Sequence, residues 1–347
     1  MRTQCISRIM QRISLGLLIL AGMYAQANGM SSEQRSYYIG VIDGNYAIQM
    51  DIISQGDDVS GSYYYQDIGV DIILTGRLYT VDTSRGTVLH LLEQSSEGEI
   101  QGYFLGNFEP FAYDLTQFQG HWLSADGNIM LEAQLEKVAD YRRLELQHAP
   151  LLQASVSYPY FRQVAAQSLN APLHAAAFAD VQAFIEDSEA WLADAHWFST
   201  WELWQEQRIH YYDGSLLSLF TTYYSYMGGA HGNTGYSSQL WTFDQDGSAT
   251  QLELSDLFRS DSNYYELLQA YLLTDLREQQ AAWLIDDRTA SVELEQLVFS
   301  LSPAGLRFAF APYDVGPYAQ GSFFVTVPYE AVREAISQDS PLQRFLF

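Results

Sequence analysis

Ile129-Met130-Leu131-Glu132-Ala133-Gln134-Leu135 decides the reading of the first half of the chain. Ile129, Leu131, Ala133 and Leu135 fall on one face, and Met130, Glu132 and Gln134 on the other. A period of two is that of a strand with one face in a core. Upstream, Ile48, Met50 and Ile52 alternate in the same way with Gln49, Asp51 and Ile53. Strand-like runs recur at Val59–Tyr65, Asp71–Tyr79, Thr87–Glu93 and Glu99–Gly106. Short turn clusters separate them: Asp43-Gly44-Asn45, Gly56-Asp57-Asp58, Ser84-Arg85-Gly86, Ser95-Ser96-Glu97-Gly98 and Ala125-Asp126-Gly127. Residues from about Tyr37 to Leu135 therefore predict an all-β antiparallel meander, closed or curled into a barrel-like domain to protect its edges. Gly61-Ser62-Tyr63, Gly102-Tyr103-Phe104 and Gly120-His121-Trp122 share a G-x-aromatic form, which recurrent strand chemistry explains.

The chain has 347 residues, enough for about two domains. Hydrophobic residues make up 48% and charged residues 17%, a globular composition. Acidic residues number 42 against 17 basic, and Lys137 is the only lysine. Such a surface repels nucleic acid and anionic lipid headgroups, so neither is an expected partner. No glycine-rich phosphate loop surrounds Lys137.

Arg2, Arg8 and Arg12 precede an apolar run from Ile13 to Met23, and Ala25-Gln26-Ala27 follows it. This order predicts a signal peptide over residues 1–27, its apolar run being too short to span a bilayer. Cleavage there removes three arginines and Cys5, leaving 14 basic against 42 acidic residues, a charge of −28, and no cysteine. The expected product is soluble and exported, periplasmic or secreted, with no membrane span and no thiol chemistry.

The first domain is expected over 28–136 and a charged linker over 137–150, where Lys137, Asp140, Arg142, Arg143 and Glu145 precede His148-Ala149-Pro150. Beyond it, in 151–347, the period changes. Phe178, Val181, Ile185 and Leu192 share a helical face, as do Leu268, Leu272 and Leu276. Strands are predicted at Leu216–Tyr226, Gln239–Phe243, Val298–Ser302, Leu306–Ala311 and Phe323–Val327. Pro303-Ala304-Gly305 is read as a hairpin turn, and Pro328 as the start of a short helix. The mixture is an α+β domain.

The histidines (His90, His121, His148, His174, His196, His210, His231) show no i, i+2 or i, i+4 pair, and no G-x-S-x-G or G-x-G-x-x-G motif occurs. No metal or cofactor is expected. Asp244-Gln245-Asp246-Gly247 lacks the remaining ligands of a calcium loop and reads as a turn, and Asp286-Asp287 as a solvated pair. Two segments stand apart. In Tyr226-Met227-Gly228-Gly229-Ala230-His231-Gly232-Asn233-Thr234, glycines around one histidine imply a tight exposed turn, serving either architecture or binding. Phe310-Ala311-Pro312-Tyr313-Asp314-Val315-Gly316-Pro317-Tyr318-Ala319-Gln320-Gly321 is a stiff loop displaying tyrosines, either a crossover or a recognition surface. The two loops are expected side by side, at the ends of neighbouring strands. Tyr226, Gly228, Gly229, His231, Asn233, Tyr313, Asp314 and Tyr318 are the candidate binding residues.

These segments, with Leu217–Tyr226, Trp241-Thr242-Phe243-Asp244, Leu254-Ser255-Asp256-Leu257-Phe258 and Val325–Tyr329, resemble the DUF3298 domain. Residues from about Ser155 to Arg208 resemble the DUF4163-like region that often precedes it. The domain occurs in RsiV-type anti-sigma factors, which sense lysozyme by binding it, and beside the catalytic domain of PdaC-type peptidoglycan deacetylases. This sequence carries neither the membrane helix of the former nor the histidine zinc motif of the latter. The resemblance therefore implies a non-enzymatic cell-envelope binding module for a lysozyme-like basic protein or an envelope glycan such as peptidoglycan. Two rivals stay open: a glycan hydrolase with His231 as general base oriented by Asp314, and a structural scaffold. The exported protein is expected to begin at Asn28 without a thiol. An intact mass from the periplasmic fraction that retains Met1–Ala27 overturns the leader assignment.

Overall fold

The computed structural model describes residues 33–346 except 83–85, 96, 109–114, 149–151, 193–199, 245, 286–290 and 294–296. The predicted leader, His196, Asp286, Asp287 and parts of the turns at 84–86, 95–98 and 244–247 lie outside these residues. Eight strands follow one another in an antiparallel meander: β1 (Glu33–Ile42), β2 (Tyr46–Gln55), β3 (Asp58–Tyr65), β4 (Ile72–Asp82), β5 (Gly86–Gln94), β6 (Ile100–Phe108), β7 (Gln117–Ser124) and β8 (Met130–His148). β1 also pairs antiparallel with β8, from Ser36 opposite Asp140 to Ile42 opposite Ala133, which closes a barrel and removes its edges. Ile48, Met50, Tyr63, Leu74, Leu91, Phe104 and Leu135 fill its interior. The G-x-aromatic recurrence is barrel chemistry. The Tyr63 and Phe104 rings meet edge to face at 5.2 Å, and Tyr63 Oη and Trp122 Nε1 both donate to the buried Glu93 carboxylate, at 2.8 and 2.7 Å.

The expected linker at 137–150 is a strand as far as His148, the second half of β8. A bulge between Tyr37 and Tyr38 in the β1 register leaves Val138 as the extra residue, bending β8 where it leaves the barrel. Beyond the bulge Val138, Ala139 and Leu146 are buried in a second core. The charges that suggested a linker are held by neighbours. Lys137 and Arg162 both reach Asp140, at 2.8 and 2.5 Å, Arg143 pairs with Glu33 at 2.6 Å, and the Arg142 guanidinium lies over Tyr160.

β9 (Leu152–Phe161) pairs with Ala139–His148 of β8 on the edge that β7 vacates. The sheet continues through β10 (Trp201–Tyr212), β11 (Leu216–Tyr226), β12 (Asn233–Phe243) and β13 (Ala249–Leu252). β9 and β10 are parallel, which demands a crossover, supplied by helix α1 (Asn170–Leu192). α1 buries Leu173, Ala177, Val181, Phe184 and Ser188, a face turned from the predicted one and sharing Val181 with it. α1 covers one face of the sheet through Leu217, Leu219 and Trp201. Against the other face pack helix α2 (Tyr264–Glu278), through Leu268, Leu272 and Leu276, and a three-stranded sheet of β14 (Val298–Ser302), β15 (Gly305–Phe310) and β16 (Phe323–Val327). Pro303-Ala304-Gly305 makes the β14–β15 hairpin, and Pro328 precedes the short helix α3 (Tyr329–Val332), as expected. Both faces of β11 are thus covered, which is why Leu216–Thr221 is buried throughout.

Native-state trypsin is expected to spare Lys137, Arg142 and Arg143 while cutting at the exposed Arg259. Mass spectrometry of the time course checks this; cleavage at 137–143 as fast as at Arg259 restores the linker.

Candidate binding site

The β11–β12 turn and the β15–β16 loop converge. They do not join neighbouring strands of one sheet, as expected; they meet because two sheets pack face to face. Tyr236 on β12 ties the sheets together, donating to Ser322 Oγ at 2.8 Å and meeting Phe324 edge to face at 5.4 Å.

Gly228 (φ 89°) and Gly229 (φ 101°) supply the left-handed backbone that the first turn requires, and Tyr226 Oη donates to the Gly229 carbonyl at 3.2 Å. Gly232 is needed for a different reason: a Cβ there would lie 2.3 Å from the Tyr224 ring. These constraints place His231 at the surface with its Nδ1 2.9 Å from the Gly232 carbonyl oxygen. A carbonyl only accepts, so Nδ1 carries the proton and Nε2 accepts from Tyr313 Oη at 3.3 Å. The Tyr318 ring stacks on the imidazole at 3.7 Å and 16°, and Tyr313 and Tyr318 lie 5.7 Å apart. His231, Tyr313 and Tyr318 form one rigid aromatic cluster.

Tyr313 adopts φ 78°, a conformation that costs a non-glycine residue about 1–3 kcal/mol. Its loop is over-determined by its neighbours. Asp314 Oδ2 accepts from the Ala311 N–H at 2.6 Å, Val315 is buried, and the Gln320 side chain bonds Ala282 N and Gln280 O. Asp314 is therefore committed to its own turn and does not orient His231; partial burial raises its carboxyl above the usual range. Asn233 starts β12, exposed and paired through its backbone with Ser225, beside the cluster rather than in it. The sheet face toward β14–β16 continues the aromatic surface with Trp204, which is 43% exposed and lies opposite Tyr224, while Tyr313 is 49% exposed.

Residues 255–330 match the family model of DUF3298, a family of proteins of unknown function. Residues 147–234 match the model described as Deacetylase PdaC; the DUF4163-like region expected before the DUF3298 segment is not among the matches. His231 and its turn fall in the PdaC-type segment, and Tyr313, Asp314 and Tyr318 in the DUF3298 segment, so the aromatic cluster spans the two. Two solved structures are similar to this chain. One is a DUF3298 family protein from Pseudomonas aeruginosa PAO1, at 15% identity, covering 57% of this chain and 94% of that one with a TM-score of 0.43. The other is a member of the DUF3298 family from Bacteroides fragilis, at 18% identity, covering 60% and 97% with a TM-score of 0.39. No curated protein matches this chain. Among the described residues no helix is long and apolar enough to cross a membrane, and no three His, Cys, Asp or Glu side chains gather as a metal site.

A second feature escaped sequence reasoning. His210 on β10 is stacked on Phe220 at 4.7 Å, with Nδ1 2.8 Å from Ser300 Oγ, and lines a cavity of about 410 Å³ between barrel and C-terminal domain. No spacing links its walls, which come from distant strands. The available signal was a lone charge within an apolar strand, as at Asp51 and Arg307. Burial lowers the His210 pKa to about 3, with Arg307, Arg208 and Arg35 adding to the effect. The unfolded chain then binds the proton first, so stability falls as pH drops from about 6.5 toward 3. Between pH 7 and 5 this loss is expected to be about 2 kcal/mol larger than in His210→Gln, measured by denaturant unfolding; identical pH slopes overturn it.

Proposed function

We propose that this protein is an exported cell-envelope binding protein that recognises its ligand through the His231–Tyr313–Tyr318 cluster, without catalysis by these residues. One observation carries the reading: both ring nitrogens of His231 are engaged, by the Gly232 carbonyl and the Tyr313 hydroxyl, and the candidate orienting carboxylate of Asp314 serves its own turn. A general base must reach the proton it takes, and the hydroxyl that Nε2 reaches here is that of Tyr313, with no carboxylate orienting the ring. An aromatic cluster locked before binding loses little entropy on contact, which suits recognition.

The ligand that fits the electrostatics is a basic protein of the lysozyme type. The chain carries −25, and opposite net charge speeds encounter by long-range steering. An envelope glycan is the second reading, favoured by the exposed rings of Trp204 and Tyr313, which offer flat faces to sugar rings.

Binding to a basic lysozyme is expected at micromolar concentration, with an association rate that falls as salt shortens the Debye length from about 10 Å at 0.1 M to about 3 Å at 1 M. Tyr313→Ala and His231→Ala should raise the dissociation rate about tenfold and change association little. Peptidoglycan pull-down tests the glycan reading in parallel. No binding to either leaves an architectural role only; hydrolysis of the glycan that is lost in His231→Ala replaces binding by catalysis.

A further inference from the structure

The cavity beneath His210 is a joint between two parts of the chain, and its polar groups do not balance. From the barrel come Gln49 and Asp51 on β2, Tyr64 on β3 and Asp71 after it; from the other side come Arg208 on β10 and Arg307 on β15. Its volume of about 410 Å³ lies within the roughly 300–1,000 Å³ of small-ligand sites. One end is closed by backbone contact, since a Cβ on Gly69 would lie 2.6 Å from Ala304 N in the β14–β15 turn.

Most charges at the joint are paired. Arg35 makes a two-pronged bond to Asp51, at 2.7 and 2.5 Å, and also bonds Glu206, which in turn holds Arg208 at 2.7 Å. Arg307 is different. Its guanidinium lies 4.7 Å over the Phe324 ring, and among the described residues it makes no hydrogen bond or ion pair. Burial accordingly lowers its pKa, against the pull of Asp71. Asp71, exposed at the rim, likewise has no hydrogen-bonded partner among the described residues, and burial of its inner side raises its carboxyl. The third unmet group is neutral. The Gln49 amide oxygen accepts from Tyr37 Oη at 2.6 Å and from Tyr212 N at 2.9 Å, which assigns the other terminus as nitrogen. That buried Nε2 has no partner. A buried donor left unmade costs about 1–3 kcal/mol, and an unpaired half-buried guanidinium costs stability as well.

Two unsatisfied cavity groups are thus donors, one of them cationic, and the third is a carboxylate at the rim. A simple anion would satisfy the donors, but it must approach a chain of charge −25 and pass Asp71. A small molecule with a carboxylate at one end and an ammonium at the other meets all three groups and carries no net charge through that field. We propose that this cavity binds a small zwitterion of amino-acid or dipeptide size, its carboxylate on Arg307 and the Gln49 amide and its ammonium on Asp71. The site is separate from the His231 cluster and does not depend on the function proposed for it.

The test uses the whole chain and alanylalanine as probe, followed by calorimetry and thermal unfolding. Alanylalanine is expected to bind at millimolar concentration or better and to raise Tm. Its N-acetyl form, without the ammonium, and its amide, without the carboxylate, should each bind at least tenfold more weakly. Arg307→Met keeps an apolar stem on Phe324 and removes the unpaired charge. Without ligand its Tm should equal or exceed that of the parent, and with ligand the shift should vanish. Asp71→Asn, at the exposed rim, should weaken alanylalanine but not the N-acetyl form. Absence of binding at about 10 mM, equal binding of the N-acetyl form or the amide, preferential binding of inorganic phosphate, or an unchanged shift in Arg307→Met each overturns the proposal. A fall in the ligand-free Tm of Arg307→Met does so too, because it makes Arg307 a structural residue.

Discussion

β8 has two backbone edges and three neighbours. One edge carries β7 along Met130–Glu136 and then β9 along Ala139–His148; the other carries β1, which overlaps both. Every other feature follows from this sharing. The barrel closes on the first half of the strand, and the C-terminal sheet starts from the second half. The Val138 bulge between them redirects the strand, so that Ala133 and Leu135 face the barrel core while Val138 and Ala139 face the core under α1. The two halves are therefore one continuous hydrogen-bonded sheet and not two domains joined by a tether.

That continuity brings the outer wall of β1–β3 against β10. A wall of a barrel facing another sheet would ordinarily be apolar. Here it is built on Arg35 shared between Asp51 and Glu206, on Gln49 reaching the Tyr212 backbone, and on Tyr64 donating to the His210 carbonyl. Buried charge is costly unless its bonds are complete, and the Arg35 cluster meets that condition while Arg307 does not. The contrast within one cavity separates groups that hold the joint together from groups left for something else.

The loop cluster depends on the same packing at one remove. Two sheets meeting face to face bring a turn from the first onto a loop from the second. The left-handed Tyr313 and the stacked His231–Tyr318 pair persist because each loop is anchored on its own element, through Val315 and Gln320 on one side and Tyr224 and Tyr226 on the other. Backbone strain held by such anchors belongs to sites that are preformed before they meet a ligand.

The sequence by itself determined the antiparallel meander, closed or curled, because period-two alternation and short turns run from Tyr37 to Leu135. It also determined helix α2 from Leu268-x₃-Leu272-x₃-Leu276 and the β14–β15 hairpin from the apolar runs around Pro303-Ala304-Gly305, whereas closure of the barrel came from β1 pairing with β8. It also brought out the two glycine- and proline-punctuated loops, since those residues mark special backbone wherever they stand. It misread 137–150 as a linker, which the structure shows as strand as far as His148, because a strand whose charges are held within it and by its neighbours looks, in one dimension, like a solvated run. It left open whether Asp314 orients His231, because a carboxylate distant from a histidine in sequence says nothing of which amide it caps. Only the tertiary structure decided that β8 is shared, that His231 is engaged at both nitrogens, and that a cavity with an unpaired Arg307 exists at all. Each of these depends on partners at sequence separations beyond any local period: Asp51 and Glu206 meet on Arg35, and Gln49 meets Tyr212, only after the barrel has closed and docked.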